Sequence, residues 1–403
     1  MIYNSMKKKS EQTTSILLAV CIGLVLLMPV LLVGCGQKEA VKSPDLRHYD
    51  NGYDTVFVVG TRIEHPADTS TSIVVDWSRE PAAKASKDLQ VTEKKGIVYK
   101  HGEITDGRDE GQPLDLKMNL MVPASGASDE LYPVVLLTPG GGFISCRIDD
   151  KYMDVQQYLA EHGYAVAIMH YHIIGEGRYF DAAQDVWDAV SWIREHGREH
   201  GLDPERIALM GNSAGGYVAA LAACQGGAVS GPEDADESAS ETTKTEGDTE
   251  ADKLPEDTET EAGSADNSAI RCVVNLYGLC DLFNNKADYE EAAIEAQHKP
   301  NSSDSQFVNG ALSGKGLTDD LEEAEKADPR NYIDGKEPPF LHMHGDADLL
   351  VSPSQSLHLH EALKAAGVES TRYAVKGAAH GDAQFRTTAA MDITLDFLDR
   401  HCR

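Results

Sequence analysis

From residue 96 onward, short continuous apolar runs alternate with longer segments in which apolar residues recur every third or fourth position. The runs 132–137, 164–169, 206–210, 270–276, 340–344 and 371–375 predict strands buried on both faces of a sheet. The stretches 96–99 and 114–122 read as a further pair of strands, ending at Pro123. Between the runs, 153–161, 181–196, 354–366 and 387–401 predict helices, and another begins at Gly211 and continues to Cys224. Ala182, Val186, Ala189, Val190 and Ile193 share one stripe of the second helix. His162-Gly163 ends the first in the manner of a glycine cap. This alternation predicts an α/β fold, with a mostly parallel sheet and helices on both faces. In such sheets reactive groups gather at the carboxyl ends of the strands.

Two regions break the pattern. At the start, Lys7-Lys8-Lys9 precedes an apolar run over 16–33 that ends in Leu32-Val33-Gly34-Cys35. A basic region, an apolar region and small residues before a cut site describe a secretory signal. The last four residues look like a bacterial lipobox. Residues 1–34 are therefore expected to be a lipoprotein signal peptide, with Cys35 as the lipidated mature N-terminus. The expected location is outside the cytoplasmic membrane, held to it by acyl chains. An uncleaved membrane anchor is the rival reading; Pro29 and the placement of Cys35 argue against it. Residues 35–95 are polar and read as a linker and N-terminal extension, with strand-like runs at 55–59 and 72–75.

The second break, 225–268, is rich in Asp and Glu and almost devoid of large apolar residues, so it is expected to be disordered. Much of the formal net charge of −30 sits there. Such acidity argues against nucleic acid and anionic membrane surfaces as partners. Five cysteines remain after Cys21 and Cys35: Cys146, Cys224, Cys272, Cys280 and Cys402. None has metal-ligand spacing. Cys272 and Cys280 are close enough in sequence to bridge in an oxidising compartment, and a buried thiol is the blander reading for each.

The chemistry is concentrated in four loops. Three consecutive glycines in LLTPGGGF imply a place where bare backbone is required. Gly211-Asn212-Ser213-Ala214-Gly215 fits G-x-S-x-G between a buried strand and a helix, the setting in which a strained turn exposes a serine hydroxyl. A serine becomes a nucleophile only when a histidine takes its proton, and a carboxylate must hold that histidine. His380 lies between small residues after the strand 371–375, and Asp346 and Asp348 follow the strand 340–344. Asp348 is the expected acid, set back toward the histidine loop, and Asp346 is left to cap the turn. Ser213, Asp348 and His380 then appear in the order this architecture requires. His170 and His172 either line the pocket or are solvated, the latter being favoured. His342, His344, His358 and His360 lack a third ligand nearby, which argues against zinc.

The stretches PGGGF, GLDPERIALMGNSAGGYVAALAA, HGDADLLVSP and GAAHGD together resemble the α/β-hydrolase superfamily. More narrowly, they are similar to the carboxylesterases related to hormone-sensitive lipase and to bacterial xylan acetyl and feruloyl esterases. The resemblance implies an α/β-hydrolase fold over 96–403 and an oxyanion hole formed by the N–H groups of Gly141, Gly142 and Ala214. The family loop usually begins with histidine, where this chain has Pro139. The implied activity is serine-dependent hydrolysis of short acyl esters, such as acetylated carbohydrate, needing neither cofactor nor metal. The expected partner is a small-molecule or polysaccharide ester, with contact to a membrane only through the lipid anchor. Residues 281–332 are long enough to form a small cap. A serine exopeptidase on the same fold and a non-catalytic binding lipoprotein are the alternatives.

Overall fold

Side chains alternate between the two faces along the central strands, so successive residues enter two separate cores. Val134 and Leu136 join one core, and Val135 and Leu137 join the other. The computed structural model describes residues 43–85, 90–124, 130–149, 153–226 and 269–403. The expected signal segment, Cys35 and the acidic stretch beyond Gly226 lie outside the described residues.

The strands are β1 (Asp45–Tyr49), β2 (Thr55–Val59), β3 (Ile73–Val75), β4 (Val91–Glu103), β5 (Pro113–Pro123), β6 (Tyr132–Thr138), β7 (Ala165–Met169), β8 (Leu202–Asn212), β9 (Ile270–Leu276), β10 (Phe340–Gly345) and β11 (Ser370–Val375). The helices are α1 (Met153–Glu161), α2 (Tyr179–His196), α3 (Ala214–Gln225), α4 (Glu291–Gln297), α5 (Ser303–Asn309), α6 (Leu321–Lys326), α7 (Ser354–Ala365) and α8 (Thr388–Cys402). Nine strands form one sheet in the order β3-β11-β10-β9-β8-β6-β7-β5-β4. All neighbouring pairs are parallel except the two made by β5. Side chains of α2, α3 and α7 fill one core, and those of α1 and α8 fill the other. This is an α/β-hydrolase fold.

The extension 35–95 is more structured than its polarity implies. β1 and β2 form an antiparallel hairpin, and β3 lengthens the main sheet beside β11. The hairpin packs on the insertion between β9 and β10, where Val56 and Val58 meet Tyr289 and Ala293. Thr55 Oγ1 donates to Gln306 Oε1 at 2.6 Å, and Val56 N–H to the Asn301 carbonyl at 2.7 Å. The insertion carries α4, α5 and α6, with α4 inside the stretch 289–297 whose helical character the sequence shows.

Two expectations are corrected and one open alternative is closed. Gln225 still belongs to α3, and Gly226 closes that helix in the left-handed region at φ 66°, so the acidic segment begins later than position 225. Cys272 and Cys280 do not pair, because they enter cores on opposite faces of the sheet. The Sγ of Cys272 instead lies 3.9 Å from that of Cys402 at the end of α8, and Cys280 faces Asp328. His172 is buried rather than solvated, as its hydrogen bonds explain below.

Candidate active site

Ser213 stands between β8 and α3 with φ 54° and ψ −128°, a conformation that a side chain rarely adopts. The flanking glycines are there because there is no room for anything larger. A Cβ on Gly215 would lie 2.0 Å from the Thr138 carbonyl oxygen, and one on Gly211 would lie 2.3 Å from that of Gly215. The Ser213 N–H donates to the Leu276 carbonyl at 2.9 Å, which fixes the turn to the neighbouring strand.

The loops after β10 and β11 bring the other two groups to this turn. The Ser213 hydroxyl donates to Nε2 of His380 at 2.8 Å, and Nδ1 of His380 donates to Oδ2 of Asp348 at 2.7 Å. These proton positions follow from the partners, since a carboxylate only accepts. Asp348 is fully buried. Its Oδ1 accepts the N–H groups of Leu350 at 2.8 Å and Val351 at 3.1 Å. Burial alone would raise this carboxyl, but the charge of His380 and hydrogen bonds from His344 and His380 outweigh it and hold it well below the ordinary carboxylate range. Asp346 serves the same loops differently: its carboxylate accepts the Gly377 N–H at 2.6 Å, tying the β10 loop to the histidine loop.

The glycine loop lies against the serine turn. Asn212 Oδ1 accepts the Gly140 N–H at 3.2 Å, and the Tyr171 hydroxyl donates to the Pro139 carbonyl at 2.7 Å. These bonds hold the loop where the family's histidine is replaced. No hydrogen bond among the described residues takes the N–H of Gly141 or Gly142. Ala214, first in α3, has no acceptor one turn earlier. Gly142 (φ 64°) and Phe143 (φ 62°) are both left-handed, and a Cβ on Gly142 would lie 2.0 Å from the Phe57 ring. Phe143 stacks on Phe307 of α5 at 4.1 Å, so the insertion braces the loop from behind.

Ser213 opens onto two spaces. One is a closed recess of about 10 Å³, bounded by Phe57, Gly142, Phe143, Leu279, Lys286 and Leu350. That is room for about one water-sized group. The other is an open cleft of about 670 Å³ that also contains His380 and the glycine loop.

Three contributors went unread in the sequence. Tyr277, itself left-handed at φ 41°, sets the edge of its ring against His380 at 5.0 Å. His344, fully buried, lies with Nε2 3.3 Å from Asp348 Oδ2 and accepts the Ser356 hydroxyl at Nδ1, 3.0 Å away. Phe57, from the N-terminal hairpin, closes the recess. The sequence does carry signals for the first two: Tyr277 directly follows β9, and His344 is the last residue but one of β10, both at the carboxyl edge of the sheet. Other histidines stay apart. His172 bonds Asp185 Oδ2 at 2.6 Å and the Glu103 carbonyl at 3.1 Å. His170 lies 3.4 Å from Glu176, and His342 is buried between Phe340 and His360, where burial keeps it neutral.

Comparison with known proteins agrees with this architecture. The BD-FAE family model matches residues 118–363. Esterase LipQ of Mycobacterium tuberculosis is 25% identical over 272 residues, which is 66% of this chain and 55% of LipQ. Esterase LipI of the same organism is 38% identical over 100 residues, 25% of this chain and 31% of LipI. The chain thus spans about half or less of the length of these curated relatives. A solved truncated form of a carbohydrate esterase from gut microbiota has a TM-score of 0.57 at 18% identity, covering 79% of this chain and 99% of that one, a likeness of fold. With more than half of its length inside the family model, the chain belongs to the BD-FAE family.

Proposed function

We propose that the protein is a serine carboxylic-ester hydrolase in which Ser213 is the nucleophile, His380 the general base and acid, and Asp348 the group that orients it. The observation carrying this reading is the position of His380, which bridges Ser213 Oγ at 2.8 Å and Asp348 Oδ2 at 2.7 Å. His380 takes the hydroxyl proton as Ser213 Oγ bonds to the ester carbonyl carbon. The carbonyl electrons move onto oxygen, and the N–H groups of Gly141, Gly142 and Ala214 stabilise that charge. One such donor is commonly worth about 3 kcal/mol of barrier. The imidazolium then protonates the departing alcohol, leaving an acyl ester on Ser213. Water, deprotonated by His380, repeats the sequence and releases the acid.

The closed recess beside Ser213 favours a short acyl group such as acetyl, since it holds about one water-sized group. The open cleft of about 670 Å³ accommodates a larger polar alcohol, as in an acetylated carbohydrate. The relatives LipI and LipQ are named esterases, which supports ester hydrolysis as the reaction. In this reading the mature chain is attached to the outer face of the cytoplasmic membrane through Cys35. Labelling with a palmitate analogue that persists in Cys35→Ser would contradict that attachment.

The enzymatic test is hydrolysis of 4-nitrophenyl acetate and 4-nitrophenyl hexanoate, with aminoacyl-4-nitroanilides alongside. Expected are rapid turnover of acetate, weak turnover of hexanoate and none of the anilides. Preference for the anilides would favour the exopeptidase reading instead.

A further inference from the structure

The chain is strongly acidic, with 66 Asp and Glu against 36 Lys and Arg. The open cleft beside Ser213 has the opposite character. Arg47, Arg147 and Arg386 line it, with Asp154 as the one acidic residue among the lining groups. The arginines come from three distant segments: the β1 strand, the loop after the glycine turn, and the turn before α8. Arg47 is paired with Asp45 at 2.9 Å. The side chains of Arg147 and Arg386 have no hydrogen bond, ion pair or ring contact among the described residues, and Asp154 pairs with neither.

An acidic body repels anions, so two guanidinium groups that have no ion pair among the described residues, at the mouth of a reactive serine, create a local field of the other sign. Their planar forks match a carboxylate better than a point cation would. The recess on the other side of Ser213 is far smaller, and its one cation, Lys286, is buried and already donates to the Leu350 carbonyl. The acyl group therefore fills the recess, and the charged part of the substrate belongs to the alcohol.

We propose that the open cleft is an anion subsite, in which Arg147 and Arg386 bind a carboxylate on the alcohol half of the ester. The preferred substrates are then short acyl esters of carboxylate-bearing alcohols, such as acylated uronic-acid residues. This rests on the serine-esterase reading and adds the charge of the substrate to it.

The test uses the full-length protein and two acetyl esters of the same phenol skeleton, 4-acetoxybenzoate and its methyl ester. The readout is the ratio of kcat/KM for the anionic over the neutral ester, compared between wild type, Arg147→Gln, Arg386→Gln and the double variant. The comparison cancels the intrinsic reactivity of the two esters. The ratio is expected to fall about three- to five-fold for each single variant and about ten-fold or more for both together, the range of partly exposed charge pairs. For the anionic ester, kcat/KM in wild type should fall as sodium chloride is added, because screening weakens the attraction. In the double variant it should rise, because only repulsion from the acidic body remains to be screened. A ratio equal in all four proteins overturns the anion subsite and leaves the esterase standing. Hydrolysis of neither ester by wild type overturns both.

Discussion

Asp348 illustrates how much a single side chain depends on its surroundings. Two backbone N–H groups, His344 and His380 all converge on one buried carboxylate. Folding thus lowers its pKa below the unfolded value of about 3.9. A group lowered on folding stabilises the protein above its unfolded pKa and loses that contribution as pH falls toward the folded one. Urea midpoints of wild type and Asp348→Asn should therefore differ most near pH 7 and converge below about pH 4. A gap independent of pH would show that the charge is not what stabilises the loop. The same substitution misorients His380, and kcat should fall by about 10⁴-fold.

The N-terminal hairpin gives the site part of its shape, and a buried ion pair anchors a loop apart from it; both test directly. The hairpin of β1 and β2 lays Phe57 over Gly142 and against the recess. Phe57→Ala should widen the recess and raise the ratio of hexanoate to acetate turnover about ten-fold, at some cost in stability because a large apolar contact is lost. An unchanged ratio would show that the hairpin does not bound the acyl group. In the loop between β7 and α2, buried His172 is held by Asp185 of α2. Burial alone would lower its pKa, but the Asp185 hydrogen bond and charge overcome that and push it up to about 9. This contribution is complete below the unfolded value of about 6.5 and is lost as pH rises through about 9. The difference in Tm between wild type and His172→Gln should therefore be larger at pH 6 than at pH 10.

Across the whole molecule, what was legible in the sequence follows from how each part is buried. β6 to β10 are covered on both faces, so their apolar runs are continuous and easily read. Ser213, His380 and Asp348 sit in loops of small residues directly after such strands, which made their places readable as well. The hairpin is different. β1, Asp-Leu-Arg-His-Tyr, is exposed throughout, Leu46 and Tyr49 included, and only β2 buries apolar residues. Its burial is against the insertion more than two hundred residues later, a pairing that no local period reveals. Tyr277 and His344 escaped for a related reason, since their roles depend on which loops meet across the sheet. Whether Cys272 and Cys280 pair was not readable, because proximity in sequence says nothing about the face each enters. The acidic stretch interrupts the chain between the cap of α3 at Gly226 and the start of β9, away from the site's own residues in sequence. Deleting 228–266 should leave kcat/KM for 4-nitrophenyl acetate within about two-fold, since segments of this composition cannot bury enough surface to form part of a core. A loss of ten-fold or more would give the stretch a structural role.

The central claim is that Ser213 becomes covalently acylated, and intact-mass spectrometry after treatment with a fluorophosphonate tests it most directly. Such a reagent forms a stable bond to a serine only where a neighbouring base and oxyanion donors activate it. Expected is a single stoichiometric adduct, mapped by peptide sequencing to Ser213 and absent from Ser213→Ala and His380→Ala. An unmodified wild type, or an adduct that persists in Ser213→Ala, would contradict it.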